Sequence, residues 1–245
     1  MRTAAEYNKW TFDFLRRRHD FVANFGPDPY AEKIEQHVVW GATVAAVGRI
    51  HARRMGAALT PDGACFVRGL LNLAPMYGLE TVAIPLLAHD LKWNGARDLL
   101  PEHPLVVYQR ASYYSEHWTS VKDRELAPAL ETLRSKQSAA PVAKFFRQNR
   151  YADILYRDYR CCAVHGLDLS HKTMDAPVEG DFPPIYRNFG VGLDEDVPPE
   201  QQVRTRIMFP LGYLAEMLST MIEREERQSA EAEWRIPRNA TLLED

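Results

Sequence analysis

The segment DILYRDYRCCAVH runs from Asp153 to His165 and places an arginine and a histidine five positions apart. The stretch leading into it from Pro141 is aromatic and basic, and Gly166 follows as a plausible terminator, so we predict that a helix ends here. Five residues turn an α-helix through about 500°, so the side chains of Arg160 and His165 lie roughly 140° apart around its axis. They cannot touch within one ideal helix, but both can face a cleft between two helices, particularly one shared with a second subunit.

Amphipathic patterns predict helices along most of the remaining chain, separated by turns rich in proline, glycine and aspartate. After Gly166 the composition shifts to acids and prolines, which predicts an extended loop. Within and after that loop, residues 185–189 and 203–209 alternate in β fashion and can pair as a hairpin. The other predicted helices cover residues 4–23, 30–55, 105–117, 121–135 and 211–234, with two apolar helical pieces in 64–100 broken near Pro75 or Pro85.

The composition of the chain limits the classes of protein to which it can belong. The 245 residues are 46% hydrophobic and 26% charged with a formal net charge of −3, which is typical of a soluble globular chain and excludes a collagen-like or wholly disordered one. Contact with nucleic acid must therefore be local. Three cysteines, two of them adjacent, form no disulfide framework, and no signal peptide or membrane span is visible, so we expect a cytoplasmic protein without membrane contact.

The pair Arg160 and His165, late in a helical chain, resembles the motif of the HEPN superfamily of helical ribonucleases. Tyr156 and Tyr159 before the arginine resemble the same superfamily. So do the strand-like residues 184–187 and the run 207–210, which ends in Phe-Pro at the head of the last helix. The resemblance covers about a third of the chain. It implies one all-α domain over 1–245, a HEPN-like helical bundle with a small β-hairpin before the C-terminal helix, in which residues 1–140 are an unassigned helical part and 141–235 carry the motif.

The resemblance further implies metal-independent cleavage of RNA in a symmetric homodimer, without a cofactor. The 2′-hydroxyl of the RNA attacks the phosphate and leaves a 2′,3′-cyclic phosphate and a 5′-hydroxyl. Arg160 would hold the scissile phosphate, because a guanidinium matches its oxygens and stabilises the charge that develops there. His165 would act as general acid or base, or would orient the 2′-hydroxyl, since its ordinary pKa lies near neutrality.

Three further residues of the motif are predicted to support this site. Tyr159 belongs to the tyrosine-rich stretch that precedes Arg160. Asp158 lies seven residues before His165, where it can orient Arg160 or the partner subunit's histidine. Cys161 departs from the superfamily, which commonly has Asn, Asp or His after the arginine, and a thiol is a poor hydrogen-bonding substitute.

The charge around the motif favours an anionic ligand. Residues 141–165 carry a net charge of +3, and the following 35 residues carry −6. The acidic loop is either a gate that competes with RNA phosphates or an ordinary structural pairing of charges. The residues predicted to bind nucleic acid are Lys144, Arg147, Arg150 and Arg157.

Other functions remain open from the sequence. A non-catalytic HEPN-like module that binds a protein or a nucleotide is the alternative, with Arg160 and His165 in structural roles. A toxin, phage-defence or RNA-processing setting follows from analogy with the family, together with a possible inhibitor or activator partner. A metal site at His165, Asp168 and His171 lacks a second pair of ligands nearby in sequence, so we predict none. Signatures of Walker, Rossmann, zincin and α/β-hydrolase chemistry are missing.

Overall fold

The computed structural model describes residues 3–24, 32–57, 61–93, 121, 123–128, 130, 140–166, 172–173, 183–190 and 203–236. This part of the chain is mostly helical, with one small antiparallel sheet of two strands. The helices are α1 (Ala4–Ala23), α2 (Glu32–Arg54), α3 (Asp62–Leu73), α4 (Ile84–Trp93), α5 (Ala140–Gln148), α6 (Tyr151–Ile154, Leu155–Cys161 and Cys162–Gly166 in succession) and α7 (Leu211–Glu231).

The predicted helices agree closely with these elements. The first prediction coincides with α1, which begins with a capping box between Thr3 and Glu6. The apolar region divides as expected, because Pro75 opens a short 3₁₀ helix (Pro75–Tyr77) and Pro85 lies in the first turn of α4. The predicted helix over 105–117 lies outside the described residues. Residues 121, 123–128 and 130 are helical.

The basic stretch from Pro141 to His165 is not one helix but two. The series of helical backbone hydrogen bonds is interrupted because the amides of Tyr151 and Ala152 donate to the carbonyls of Thr81 and Leu79, at 2.9 and 3.1 Å. Within α6, the middle piece Leu155–Cys161 is a π-helix, with hydrogen bonds spanning five residues in place of four. Contacts made elsewhere in the chain therefore decide where this helix begins.

The predicted hairpin strands do pair. Strand β1 (Ile185–Gly190) runs antiparallel to β2 (Val203–Met208), with Ile185 opposite Met208. Residue Thr173 forms a parallel bridge to Ile207 beside them. The sheet lies directly before α7, where the sequence predicts it.

One hydrophobic core joins the N-terminal helices to the motif helix. The buried rings of Trp40 on α2 and Phe66 on α3 meet edge to face at 5.9 Å, and the Trp40 indole donates to the carbonyl of Leu214 on α7 at 3.0 Å. Tyr159 on α6 is fully buried in the same cluster. Each such side chain contributes about 1.5–3 kcal/mol by its removal from water. Among the described helices, none combines the length and apolarity needed to cross a membrane.

Candidate functional site

The Arg160 side chain lies in a tight interface between α6 and α2. A Cβ added at Gly41 would lie 2.9 Å from Cγ of Arg160, so the glycine is what lets α2 approach the arginine stem. The guanidinium carbon lies 5.7 Å from the ring centroid of Tyr156, and the side chain is only 12% exposed. Arg160 is therefore held in place along its whole length.

The guanidinium of Arg160 is paired with a carboxylate of its own chain. Its Nη2 donates to Oδ2 of Asp62 at 2.8 Å, and Nη1 of Arg49 donates to Oδ1 of the same carboxylate at 2.6 Å. Asp62 lies in the first turn of α3, where the helix dipole favours a negative charge. Sequence reasoning missed Asp62 and Arg49 as members of this site. The only available signal was an acid directly after a helix-starting proline.

Tyr156 and Cys161 complete the surroundings of the guanidinium. A Cβ at Gly63 would lie 2.6 Å from the Tyr156 ring, so the start of α3 packs directly on that ring. Burial and the neighbouring Cys161 thiol raise the pKa of Tyr156 above its ordinary value, although Arg160 opposes the shift. The Cys161 sulfur also lies 3.9 Å from Nη1 of Arg160. Cys161 therefore contacts the predicted phosphate-binding residue.

His165 lies in the last turn of α6 and is exposed. Within the described part of the chain, its imidazole makes no hydrogen bond or ion pair, and none joins it to Arg160. The two residues predicted as catalytic thus differ in environment, because Arg160 is buried and paired whereas His165 faces solvent.

Asp158 and Tyr159, both predicted to support the site, each bond to residues other than Arg160 and His165. Asp158 is buried and accepts a hydrogen bond from Arg157, its neighbour in sequence, instead of orienting Arg160. Burial acts to lower the pKa of Arg157, but the hydrogen bond to Asp158 together with the negative charges of Asp158, Asp90 and Asp153 outweighs it, so the net shift is upward. The Tyr159 hydroxyl accepts from the backbone N–H of Phe209 at 3.0 Å. Tyr159 is thus part of the core, not of an open cleft.

Three of the four residues predicted to bind nucleic acid line one groove of about 400 Å³. Lys144 and Arg147 are exposed on α5, and Arg150, which pairs with Asp153 at 2.6 Å, precedes α6. Arg157 does not line this groove. The groove lies at the start of α6, whereas Arg160 and His165 lie toward its end. The other lining residues are Glu80, Thr81, Val82, Ala127, Leu130, Ala143 and Phe146.

Comparison of the chain with protein-family models, with curated proteins and with solved structures found no match. The described ranges contain no group of three His, Cys, Asp or Glu residues placed to hold a metal ion, and Asp168 and His171 lie outside those ranges.

Proposed function

We propose that this protein is a metal-independent endoribonuclease of the HEPN type, active as a homodimer. The observation that carries the proposal is the placement of two complementary groups on one helix. Arg160 is immobilised by Gly41 and Tyr156, and His165 is exposed and unpaired among the described residues. A fixed cation for the phosphate and an imidazole open to proton transfer are the two groups that this chemistry requires.

The reaction needs no group beyond these and the RNA itself. The 2′-hydroxyl loses its proton to a base as its oxygen attacks the adjacent phosphorus, and the 5′-oxygen leaves and takes up a proton. His165 serves one of these proton transfers, and its counterpart in the second subunit serves the other. Arg160 binds the phosphate oxygens, on which negative charge builds in the transition state.

The basic groove would hold the RNA strand on one side of the cut. Ten residues separate Arg150 from Arg160, which corresponds to about 15 Å along a helix. An RNA chain of several nucleotides spans that distance. Lys144 and Arg147 would then bind phosphates remote from the scissile bond and contribute affinity without sequence preference.

A second candidate is a non-catalytic module that binds a protein or a nucleotide. The ion pair between Arg160 and Asp62 favours it, because the guanidinium is already neutralised within one chain. Cys161 favours it as well, because a thiol replaces the polar residue that is common in the superfamily. In this case Arg160 would stabilise the contact between α6 and α3.

Cleavage assays in EDTA separate the two functions. Purified protein is incubated with total RNA and tRNA, beside R160A, H165A and the matched controls R227A and H19A. We expect fragments that end in 2′,3′-cyclic phosphate from the wild type and both controls, and none from R160A or H165A. Cleavage that survives H165A, or that requires a metal, would contradict the proposed mechanism.

The oligomeric state is tested separately by light scattering after size exclusion. The nuclease requires a particle of twice the 28.1 kDa chain mass. R160A and H165A should retain that mass and the wild-type circular dichroism spectrum. A well-folded wild-type monomer without cleavage would favour the binding module.

A further inference from the structure

Two arginines in this protein bind carboxylates in different ways. Arg54 places Nε and Nη2, which form one edge of its guanidinium, on the two oxygens of Glu225 at 2.7 and 3.0 Å. Arg160 places only Nη2 on Asp62, and its Nε is buried without a hydrogen-bond partner among the described residues. Only one of the two donors on this edge of the Arg160 guanidinium is therefore hydrogen-bonded, and the other is buried and unsatisfied.

Arg49 repeats the same pattern on the other side of Asp62. Its Nη1 donates to the carboxylate, and in the part of the chain that the structure describes its Nε is also buried without a partner. Two guanidinium groups therefore converge on one carboxylate, and each places a single donor on it. The side chains of Arg49 and Arg160 are 16% and 12% exposed, so water has limited access to them.

Asp62 differs from Glu225 in being reachable from solvent. Its side chain is 33% exposed, whereas that of Glu225 is fully buried. Rotation about its side-chain bonds would carry the carboxylate out of the site and leave two positive charges beside the first turn of α3. Burial and the charge of Asp62 raise the pKa of the nearby Cys65 thiol, and Arg49, Arg68 and Arg53 oppose that shift.

We propose that Arg49 and Arg160 form a two-arginine phosphate site, which Asp62 closes when no ligand is bound. A tetrahedral phosphate offers more oxygens than a carboxylate, so it can accept from Nε and Nη2 of Arg160 and from Arg49 together. The assignment of RNA as the source of that phosphate rests on the proposed function. The site itself needs only a phosphate oxyanion.

The experiment measures binding of inorganic phosphate by calorimetry to the wild type, D62N, R49A and the double variant D62N/R49A. We expect D62N to bind about tenfold more tightly than the wild type, because the competing negative charge is removed. R49A should bind at least about tenfold more weakly than the wild type, and the double variant should bind no more tightly than the wild type. The control D13N removes an exposed carboxylate that pairs with Arg16 on α1, and should bind phosphate as the wild type does.

Circular dichroism establishes that each variant is folded. D62S serves in place of D62N if the latter unfolds, because serine is also favourable at the start of a helix. R49K keeps the charge but not the forked donor geometry, and should bind more weakly than the wild type. Binding by D62N or D62S no tighter than by the wild type, or binding unaffected by R49A, would overturn the site.

Two further probes identify the source of the phosphate. A 2′-O-methylated RNA tetranucleotide, which cannot be cleaved by its own 2′-oxygen, is compared with AMP. If R49A weakens binding of the tetranucleotide more than binding of AMP, the natural ligand is a phosphodiester of RNA. If R49A weakens binding of AMP more, the natural ligand is a nucleotide. These binding experiments do not measure cleavage. If the protein does not cleave RNA, the proposed phosphate site can therefore still be correct. If the protein cleaves RNA but its phosphate binding does not depend on Arg49, the phosphate site is wrong and the nuclease is not.

Discussion

The backbone N–H of Phe209 donates to the hydroxyl of Tyr159 at 3.0 Å, and the two rings meet edge to face with centroids 5.3 Å apart. One residue belongs to the motif helix α6 and the other to the junction between β2 and α7. A buried tyrosine thereby connects two of the stretches on which the predicted resemblance to HEPN proteins is based. The ring of His37 on α2 lies 5.4 Å from Tyr159 on another side, so this contact also includes the N-terminal helices.

The first prediction concerns this hydroxyl. Y159F keeps the ring and leaves the Phe209 N–H buried without a partner, so we expect the free energy of unfolding to fall by about 1–3 kcal/mol. Urea denaturation followed by circular dichroism measures the change. S219A removes an exposed hydroxyl that bonds Glu223 and should cost less than about 0.5 kcal/mol. Equal stability of Y159F and wild type would refute the role given to this bond.

The second prediction concerns acid stability. Burial alone would raise the pKa of Glu225, but hydrogen bonds from His51 and Arg54 outweigh it and hold the pKa below its ordinary value. The unfolded chain therefore takes up the proton first. The stabilisation from Glu225 is complete above the ordinary glutamate pKa of about 4.3 and is lost as the pH falls through the lowered value.

E225Q removes this titration and leaves the Arg54 charge without its partner. We expect a loss of about 3–5 kcal/mol at pH 7 and a flatter dependence of stability on pH below about 5. Urea unfolding between pH 3 and pH 7 tests both effects, with E223Q on the exposed face of α7 as the matched control. If the free energy of unfolding of E225Q changed with pH below about 5 as steeply as that of the wild type, the prediction would be wrong.

The third prediction concerns a buried carboxylate shared by two tyrosines. Asp123 accepts from the hydroxyls of Tyr151 and Tyr186 and from the backbone N–H of Ile84 at the start of α4. Burial and the negative charge of Asp123 raise the pKa of both tyrosines well above its ordinary value. The unfolded chain loses these protons first, so stability falls as the pH rises above about 10.

Ultraviolet titration of tyrosinate checks this directly. Tyr151 and Tyr186 should ionise only in the alkaline unfolding transition, so Y186F should show the same absorbance change as the wild type before that transition. At pH 7 Y186F should be less stable than the wild type by about 1–3 kcal/mol, because one hydrogen bond to the buried carboxylate is removed. Above about pH 10 its stability should fall less steeply, because one of the two tyrosine titrations is removed. A smaller absorbance change before the transition in Y186F would show that this tyrosine ionises in the folded state.

The fourth prediction concerns the basic groove. K144E and R147E should each weaken binding of 2′-O-methylated RNA and lower the steepness of its salt dependence by about 0.7 for each phosphate that is no longer neutralised. K9E, an exposed lysine on α1, changes the net charge equally and should leave the slope unchanged. Fluorescence anisotropy over a series of salt concentrations gives the slopes. Equal effects of K9E and K144E would indicate a response to net charge alone.

The positions of the helices and the hairpin followed from local patterns. The apolar spacing from Ala4 to Ala23 and the alternation in 185–189 and 203–209 each predicted the element observed. The π-helical middle of α6 and the break before Tyr151 were not predictable in this way. Both depend on contacts with other elements, such as the carbonyls of Leu79 and Thr81, that no local pattern records.

The candidate site was predictable only in part. The motif predicted Arg160 as the cation that holds a phosphate, whereas the anion it meets in the structure, Asp62, lies 98 residues earlier in the chain. Asp158 is closer to Arg160 in sequence than Asp62 is. Its carboxylate is nevertheless buried by the packing of α6 and pairs with Arg157.

The sequence by itself determined where most of the described helices and both strands form, because hydrophobic periodicity and capping act over a few neighbouring residues. Only the tertiary structure decided which charges meet, because an ion pair depends on the approach of distant helices and on the burial that follows. Gly41 and Gly63 let α2 and α3 approach α6 closely enough to place Arg49, Asp62 and Arg160 at one point.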